Sequence, residues 1–288
     1  MRRLLMFMLA AAMMGFGTAR AQEDLSGVIQ IKGSDTMVNL GQAWAEAFSK
    51  AHPGVSVAVT GGGSGTGFAA LIGGTCDVAE TSRTITAKET AMAEGKGFTP
   101  VELKVALDGV AIVVNPSNPV DGLTIDQLAD IFTGRVTNWK EVGGKDMPIV
   151  ILSREVNSGT HMYVKEHVIR KGGKDNFDEF SPMALLMPSS QAIADEVAQN
   201  ENAIGYYGIG YVTPAQKALA VAKSADSPYV KPDVADIMSG SYPISRPLLM
   251  YTPGEPKGVV RAFLDFVLSP EGQKIVAELD FVPIKPAE

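Results

Sequence analysis

Apolar and polar positions come in blocks along this chain, and the blocks switch repeatedly between the periods of strand and helix. Val28 to Lys32 reads as a short strand that ends in the polar turn Gly33-Ser34-Asp35-Thr36. From Met37 to His52, Leu40, Trp44, Ala47 and Phe48 recur at three- and four-residue spacing, which predicts a helix with Trp44 and Phe48 in the core. Pro53-Gly54 stops it. Val55 to Thr60 is a second strand, Gly61 to Gly67 a glycine-rich loop, and Phe68 to Ile72 begins another helix. Cys76 to Ala79 is a third strand, closed by the polar turn Glu80-Thr81-Ser82-Arg83. Strand, turn and helix repeated in this order predict an open parallel sheet.

A second series starts near residue 109. Val110 to Asn115 reads as a strand bounded by Pro116 and Pro119, and Thr124 to Phe132 as a helix that Thr124 caps. Pro148 to Leu152 is a strand, followed by the polar loop Ser153 to Asn157 and a helix that begins at Ser158-Gly159-Thr160. Ala192 to Ala198 is a helix and Ala203 to Tyr206 a strand. Past Ser245 come the strand Leu248 to Tyr251 and the helices Val259 to Leu268 and Gly272 to Leu279. No internal repeat marks a solenoid. The expected fold class is α/β and two-lobed, each lobe a mostly parallel sheet flanked by helices, with a two-segment hinge. The crossings are placed near 108–111 and 245–248, giving lobe one as 22–108 plus 248–288 and lobe two as 109–247.

The first residues belong to neither lobe. Arg2 and Arg3, the apolar run Leu4 to Phe16 and the small-x-small pattern Ala19-Arg20-Ala21 predict a secretory signal peptide over 1–21. The run is too short to span a bilayer, so no direct membrane insertion is expected. Cleavage would leave 22 basic against 32 acidic side chains, a formal charge near −10. That excludes the electrostatic footprint of a nucleic-acid binder and of a polybasic lipid patch. Any anion site must draw on local backbone N–H groups and one or two arginines. Cys76 is the single cysteine, so there is no internal disulfide and no lipid-anchor cysteine near the signal. His52, His161 and His167 lack zinc spacing, and neither metal nor cofactor is expected.

Each polar turn follows a strand and precedes a helix. In open α/β sheets ligands bind at the carboxyl ends of the strands, where helix N-terminal N–H groups lack partners. Ser34, Asp35 and Thr36, then Ser64 and Gly65 with Thr66, then Ser82 and Arg83 can converge there. The loop Gly61 to Gly67 has no Lys for a nucleotide P-loop, and Thr66 stands where a nucleophile elbow needs Gly. Its Gly65-x-Gly67-x-x-Ala70 is only a weak dinucleotide fingerprint. In the second series, Arg154 offers a planar fork for an oxyanion, and Ser158, Gly159 and Thr160 open a helix. Tyr206, Tyr207 and Tyr211 read as packing residues, His161 as a first-turn neighbour of the site, and Asp175, Asp178 and Glu179 as a solvated acidic loop.

Together Gly33-Ser34-Asp35-Thr36, Gly63-Ser64-Gly65-Thr66-Gly67, Ser82-Arg83 and Arg154-x3-Ser158-Gly159-Thr160 resemble the periplasmic phosphate-binding proteins of phosphate ABC transporters. Leu123-Thr124 through Phe132-Thr133-Gly134 with Asn138-Trp139 looks like the same family's second-lobe segment. The resemblance implies a type II periplasmic-binding-protein fold and a monomer that is not an enzyme. Its ligand would be inorganic phosphate or a related oxyanion, and its partner an inner-membrane ABC transporter permease. The implied ligand shell is Ser34, Asp35, Thr36, Ser64, Gly65, Ser82, Arg83, Arg154, Ser158, Gly159 and Thr160.

The chain also departs from the family's pattern. Many members carry an Asp in the third turn, which accepts the proton of monohydrogen phosphate; Arg83 cannot, and Asp35 is the candidate replacement. Many also place an Asp two residues after the second-lobe Arg, where this chain has Val156; Glu155 is the candidate to orient Arg154. Two alternatives stay open. The same fold could bind sulfate or another tetrahedral oxyanion, which Arg83 favours. A secreted phosphate-ester hydrolase would need Ser64 or Ser158 as nucleophile, with no base or metal ligand visible nearby.

Overall fold

The structure is a computed structural model that describes residues 25–173 and 175–284. The signal segment expected at 1–21 lies outside these residues. β1 (Gly27–Gly33) buries Ile29 and Ile31, and a 3-10 turn at Asp35–Met37 leads directly into α1 (Val38–Ala51). Leu40, Trp44 and Phe48 of α1 are buried as the spacing predicts, and the Trp44 indole donates to Gly272 O at 2.8 Å. β2 (Val55–Thr60), α2 (Ser64–Ile72), β3 (Val78–Thr81) and α3 (Ala87–Gly95) follow. The long β4 (Val101–Val114) comes next, then β5 (Gly122–Thr124) and α4 (Ile125–Thr133), which Thr124 caps in a capping box with Gln127.

β6 (Val150–Arg154) feeds α5 (Gly159–Val164), which continues as a π-helical turn over Lys165–Ile169. Then come β7 (Leu185–Met187), α6 (Ser190–Gln199), β8 (Ala203–Gly208), β9 (Lys217–Ala218), β10 (Ala220–Ala222) and α7 (Val234–Ser239). The chain returns through β11 (Ser245–Thr252), α8 (Gly258–Val267) and α9 (Pro270–Glu278).

One hydrogen-bonded path runs β2-β1-β3-β11-β4-β8-β6-β7. β1 is parallel to β2 and β3, and β6 is parallel to β7 and β8. The middle is antiparallel: β11 pairs with both β3 and β4, and the far end of β4 pairs with β8. Along β4 the core contacts change between Ala106, packed with Trp44 and Phe263, and Val110, packed with Phe132 and Tyr206. The same change falls between Ile244, just before β11, and Leu248 within it. No helix among the described residues is long and apolar enough to cross a membrane.

Two local expectations are corrected, and one helix went unread. α2 begins at Ser64, not Phe68, so half of the glycine-rich loop is helical. Glycines hid this, because they carry little helical propensity. Gly67 is there for closeness: a Cβ would lie 2.6 Å from Lys32 O and 2.8 Å from the Gly33 Cα, so α2 packs directly on β1. β3 runs to Thr81, which puts Glu80 inside a strand rather than in a turn. α3 left no periodic signal, since Ala93 is its one buried residue.

Candidate oxyanion site

β1 and β3 end side by side, and Ser34 N donates to Glu80 O at 2.8 Å. Gly33 allows this approach; a Cβ there would sit 2.0 Å from that oxygen. Thr36, from the turn after β1, meets Thr160, from the start of α5, at 3.1 Å between hydroxyls. Ser64, first residue of α2, accepts from Ser82 N at 3.0 Å and lies 3.4 Å from Ser82 Oγ. Gly159 sits against both: a Cβ would be 2.3 Å from Ser64 Oγ and 2.6 Å from Ser82 Oγ. Ser158 caps α5 by accepting from His161 N at 3.3 Å. Ser34, Thr36, Ser64, Ser82, Ser158 and Thr160 are all buried. The opening N–H groups of α2 and α5 have no intrahelical partners. The result is a buried cluster of hydroxyls and helix N-termini contributed by both halves of the chain.

The guanidinium in that cluster is Arg246, which the sequence reading missed. Nη2 donates to Thr160 Oγ1 at 3.0 Å and Thr36 Oγ1 at 3.4 Å, and Nη1 donates to Ser82 O at 3.1 Å. Nε and Nη2 also hold Asp108 Oδ2 at 3.0 and 2.8 Å, and Asp108 Oδ1 accepts from Ile209 N at 3.0 Å. Burial raises the Asp108 carboxyl above its ordinary range, while the Arg246 charge and these hydrogen bonds pull it back. The Arg246 guanidinium lies 5.4 Å from the centroid of the Tyr163 ring. The one signal in sequence was an arginine inside an otherwise apolar strand. Asp108 in β4 and Glu80 in β3 carry the same signal.

The two arginines read from sequence are engaged elsewhere. Arg83 makes a bidentate pair with Glu89 at 2.8 and 2.7 Å and sits 4.8 Å over the Phe68 ring. Burial pushes the Glu89 carboxyl up, but hydrogen bonds from Arg83 and from the Thr86 backbone and hydroxyl, with the Arg83 charge, hold it below the usual range. Arg154 donates to Asp35 Oδ2 at 2.5 Å, and to Met187 O, Pro188 O and Ser190 Oγ. Asp35, not Glu155, therefore orients it. Asp35 Oδ1 accepts from Gly62 N at 3.0 Å, and its backbone carbonyl accepts from Tyr211 OH at 2.6 Å. Gly65 turns its N–H to Asn157 O at 3.0 Å.

Neighbouring groups are tuned by burial. His161 donates to or accepts from Ser153 Oγ at 3.1 Å and stacks on Phe180; burial first, then the Lys165 charge, push it down to about 4. Glu80 is fully buried and neither carboxyl oxygen has a hydrogen-bond partner, so burial lifts it well above the ordinary carboxylate range. The acidic loop is solvated as expected, with the Asp178 side chain 40% and that of Glu179 58% exposed; Asp178 pairs with Arg135, and Glu179 with Arg170 and Lys165. Among the described residues no cluster of His, Cys, Asp and Glu is arranged to hold a metal.

Half-sites from the two halves of the chain meet here, with neutral donors outnumbering charges, as in a solute-binding protein of the two-lobed class. The chain belongs to the PBP superfamily, whose domain model matches residues 18–271. It is 34% identical over 277 residues to the phosphate-binding protein PstS of Pseudomonas aeruginosa, covering 90% of this chain and 84% of that one. PstS of Bacillus subtilis is 33% identical, with 93% and 84% covered. Among solved structures, a phosphate ABC transporter substrate-binding protein from Clostridium perfringens, crystallised with bound phosphate, superposes with a TM-score of 0.80 at 34% identity, covering 90% of this chain and all of that one. An ABC-type phosphate transport receptor from Vibrio cholerae gives 0.70 at 31% identity, with 89% of this chain and 100% of that chain covered.

Proposed function

We propose that this protein captures inorganic phosphate between its lobes in the periplasm and delivers it to an inner-membrane ABC transporter. The observation that carries this is the buried hydroxyl cluster around Arg246, assembled from both lobes in a chain whose relatives are phosphate-binding proteins. Thr36, Ser64, Ser82 and Thr160 supply hydroxyl donors, the turns at Ser34–Thr36 and Gly159–Thr160 supply N–H groups, and Arg246 supplies charge. Asp108 already neutralises Arg246, so an arriving anion is held chiefly by oriented dipoles. Asp35 is the proposed proton acceptor from the ligand. Sulfate has no proton to offer, so its oxygen would face the Asp35 carboxylate oxygen, and that repulsion penalises it. Arg154 and Arg83 act at one remove, Arg154 by fixing Asp35.

The change of core contacts along β4 and β11 supports dividing the chain into lobe one, 22–108 plus 248–288, and lobe two, 109–247. Closure of these lobes over the anion favours the bound state. The signal-peptide pattern read in the sequence over 1–21 supports export. Ester hydrolysis finds no support: among the described residues, Ser64 and Ser158 hydrogen-bond to no His, Asp or Glu side chain. Calorimetric titration of the mature chain with inorganic phosphate tests the proposal. Saturable binding below millimolar concentration is expected, and its absence would overturn the reading.

A further inference from the structure

The glycine-rich loop makes contacts that the hydroxyl cluster does not use. Asn157 lies between β6 and α5, and its carbonyl oxygen accepts from Gly65 N at 3.0 Å. Its side-chain amide donates to Gly62 O at 2.8 Å and to Thr66 Oγ1 at 3.3 Å. Thr66 Oγ1 in turn donates to Gly62 O at 2.6 Å. All these partners sit in the segment that joins β2 to α2 and opens that helix, across the cleft from Asn157.

The same contact accounts for glycines that sequence reasoning gave to the anion. A Cβ at Gly63 would lie 2.7 Å from Asn157 O, and Gly63 has φ +91°. At Gly65 it would lie 3.2 Å from that same oxygen. Backbone therefore meets backbone here, with no side chain between, and the Asn157 amide ties the edge. Gly62 is exposed, so this contact lies at the rim of the cleft and not among the buried hydroxyls.

We propose that Asn157 is a clasp: a positioning residue that holds the closed lobes together through bonds made to protein alone, and so sets how fast the anion leaves. Release requires the lobes to part, and parting breaks all three Asn157 bonds. Entry into the open form breaks none. The effect therefore falls on dissociation rather than association. The inference rests on the phosphate reading for its kinetic test only.

The test compares wild type with Asn157→Ala and Asn157→Asp, using stopped-flow mixing with inorganic phosphate. Both variants should release phosphate about tenfold faster, the size expected for one or two lost hydrogen bonds. Association should stay within about threefold of wild type. Asn157→Asp keeps the shape but loses the donors, so it should release at least as fast as Asn157→Ala; a space-filling role would leave it like wild type. Unchanged release in both variants, or an effect on association alone, would overturn the clasp.

A second readout is independent of ligand. Spin labels at Lys50→Cys and Asp195→Cys report the separation of the lobes in the unliganded protein. The Asn157 variants should shift it to longer distances, and an unchanged distribution overturns the proposal. If wild type bound no phosphate, the functional reading would fall and this distance alone would decide the clasp.

Discussion

Arg246 reaches the cleft with its charge already balanced, because Asp108 takes two of its N–H groups and both side chains are buried. Removing one member strands the other in low dielectric. Arg246→Gln should abolish measurable phosphate binding and cost about 3 kcal/mol or more of stability by urea unfolding. Arg83→Gln should change phosphate affinity by less than about threefold, since it removes an ion pair at the edge of the cluster. Equal losses in the two variants would mean that Arg83 turns to the ligand.

Two buried groups near the cleft respond to pH in opposite senses. His161 has its folded pKa depressed to about 4, so between there and its ordinary value the unfolded chain binds more protons. Stability should fall as pH drops from 6.5 to about 4, and His161→Gln should flatten that slope. Glu80 has its folded pKa raised, so the folded chain holds the extra proton. Its contribution is present at acid pH and is lost as pH rises from 4.5 through the folded value. Glu80→Gln cannot ionise, and should gain stability relative to wild type as pH rises. Urea midpoints at pH 5, 7 and 8.5 check both signs.

At the scale of elements, the site exists because strand ends and helix starts are brought within backbone contact. Gly159→Ala would place a methyl 2.3 Å from Ser64 Oγ and 2.6 Å from Ser82 Oγ, and should cut phosphate affinity at least about tenfold and lower stability by about 1–3 kcal/mol in urea unfolding. Much of this level was legible in sequence. The strand-turn-helix rhythm located Ser34–Thr36, Ser64, Ser82 and Ser158–Thr160, because polar turns between apolar strands have distinctive composition. The helical start at Ser64 was not legible, since glycine masks helical propensity. Arg246 was not legible as a site residue either. Beside Pro247 it looks like the start of an edge strand, and it enters the cleft only because β11 lies between β3 and β4.

For the whole molecule, the sheet path explains how the two largest hydrophobic cores share one cleft. β4 and β11 pass from one core to the other as an antiparallel pair, and Arg246 and Asp108 are paired across that crossing. The order of elements predicted two lobes and a two-segment hinge. It did not show the antiparallel middle, which depends on pairing between segments about ninety or more residues apart. The central claim is capture of phosphate by this assembled cluster. Its most direct test is calorimetric titration of the mature chain with phosphate in the presence of excess sulfate, for wild type and Asp35→Asn. Wild type should bind phosphate tightly without displacement by sulfate, and Asp35→Asn should weaken that selectivity. Sulfate binding as well as or better than phosphate in the wild type would contradict it.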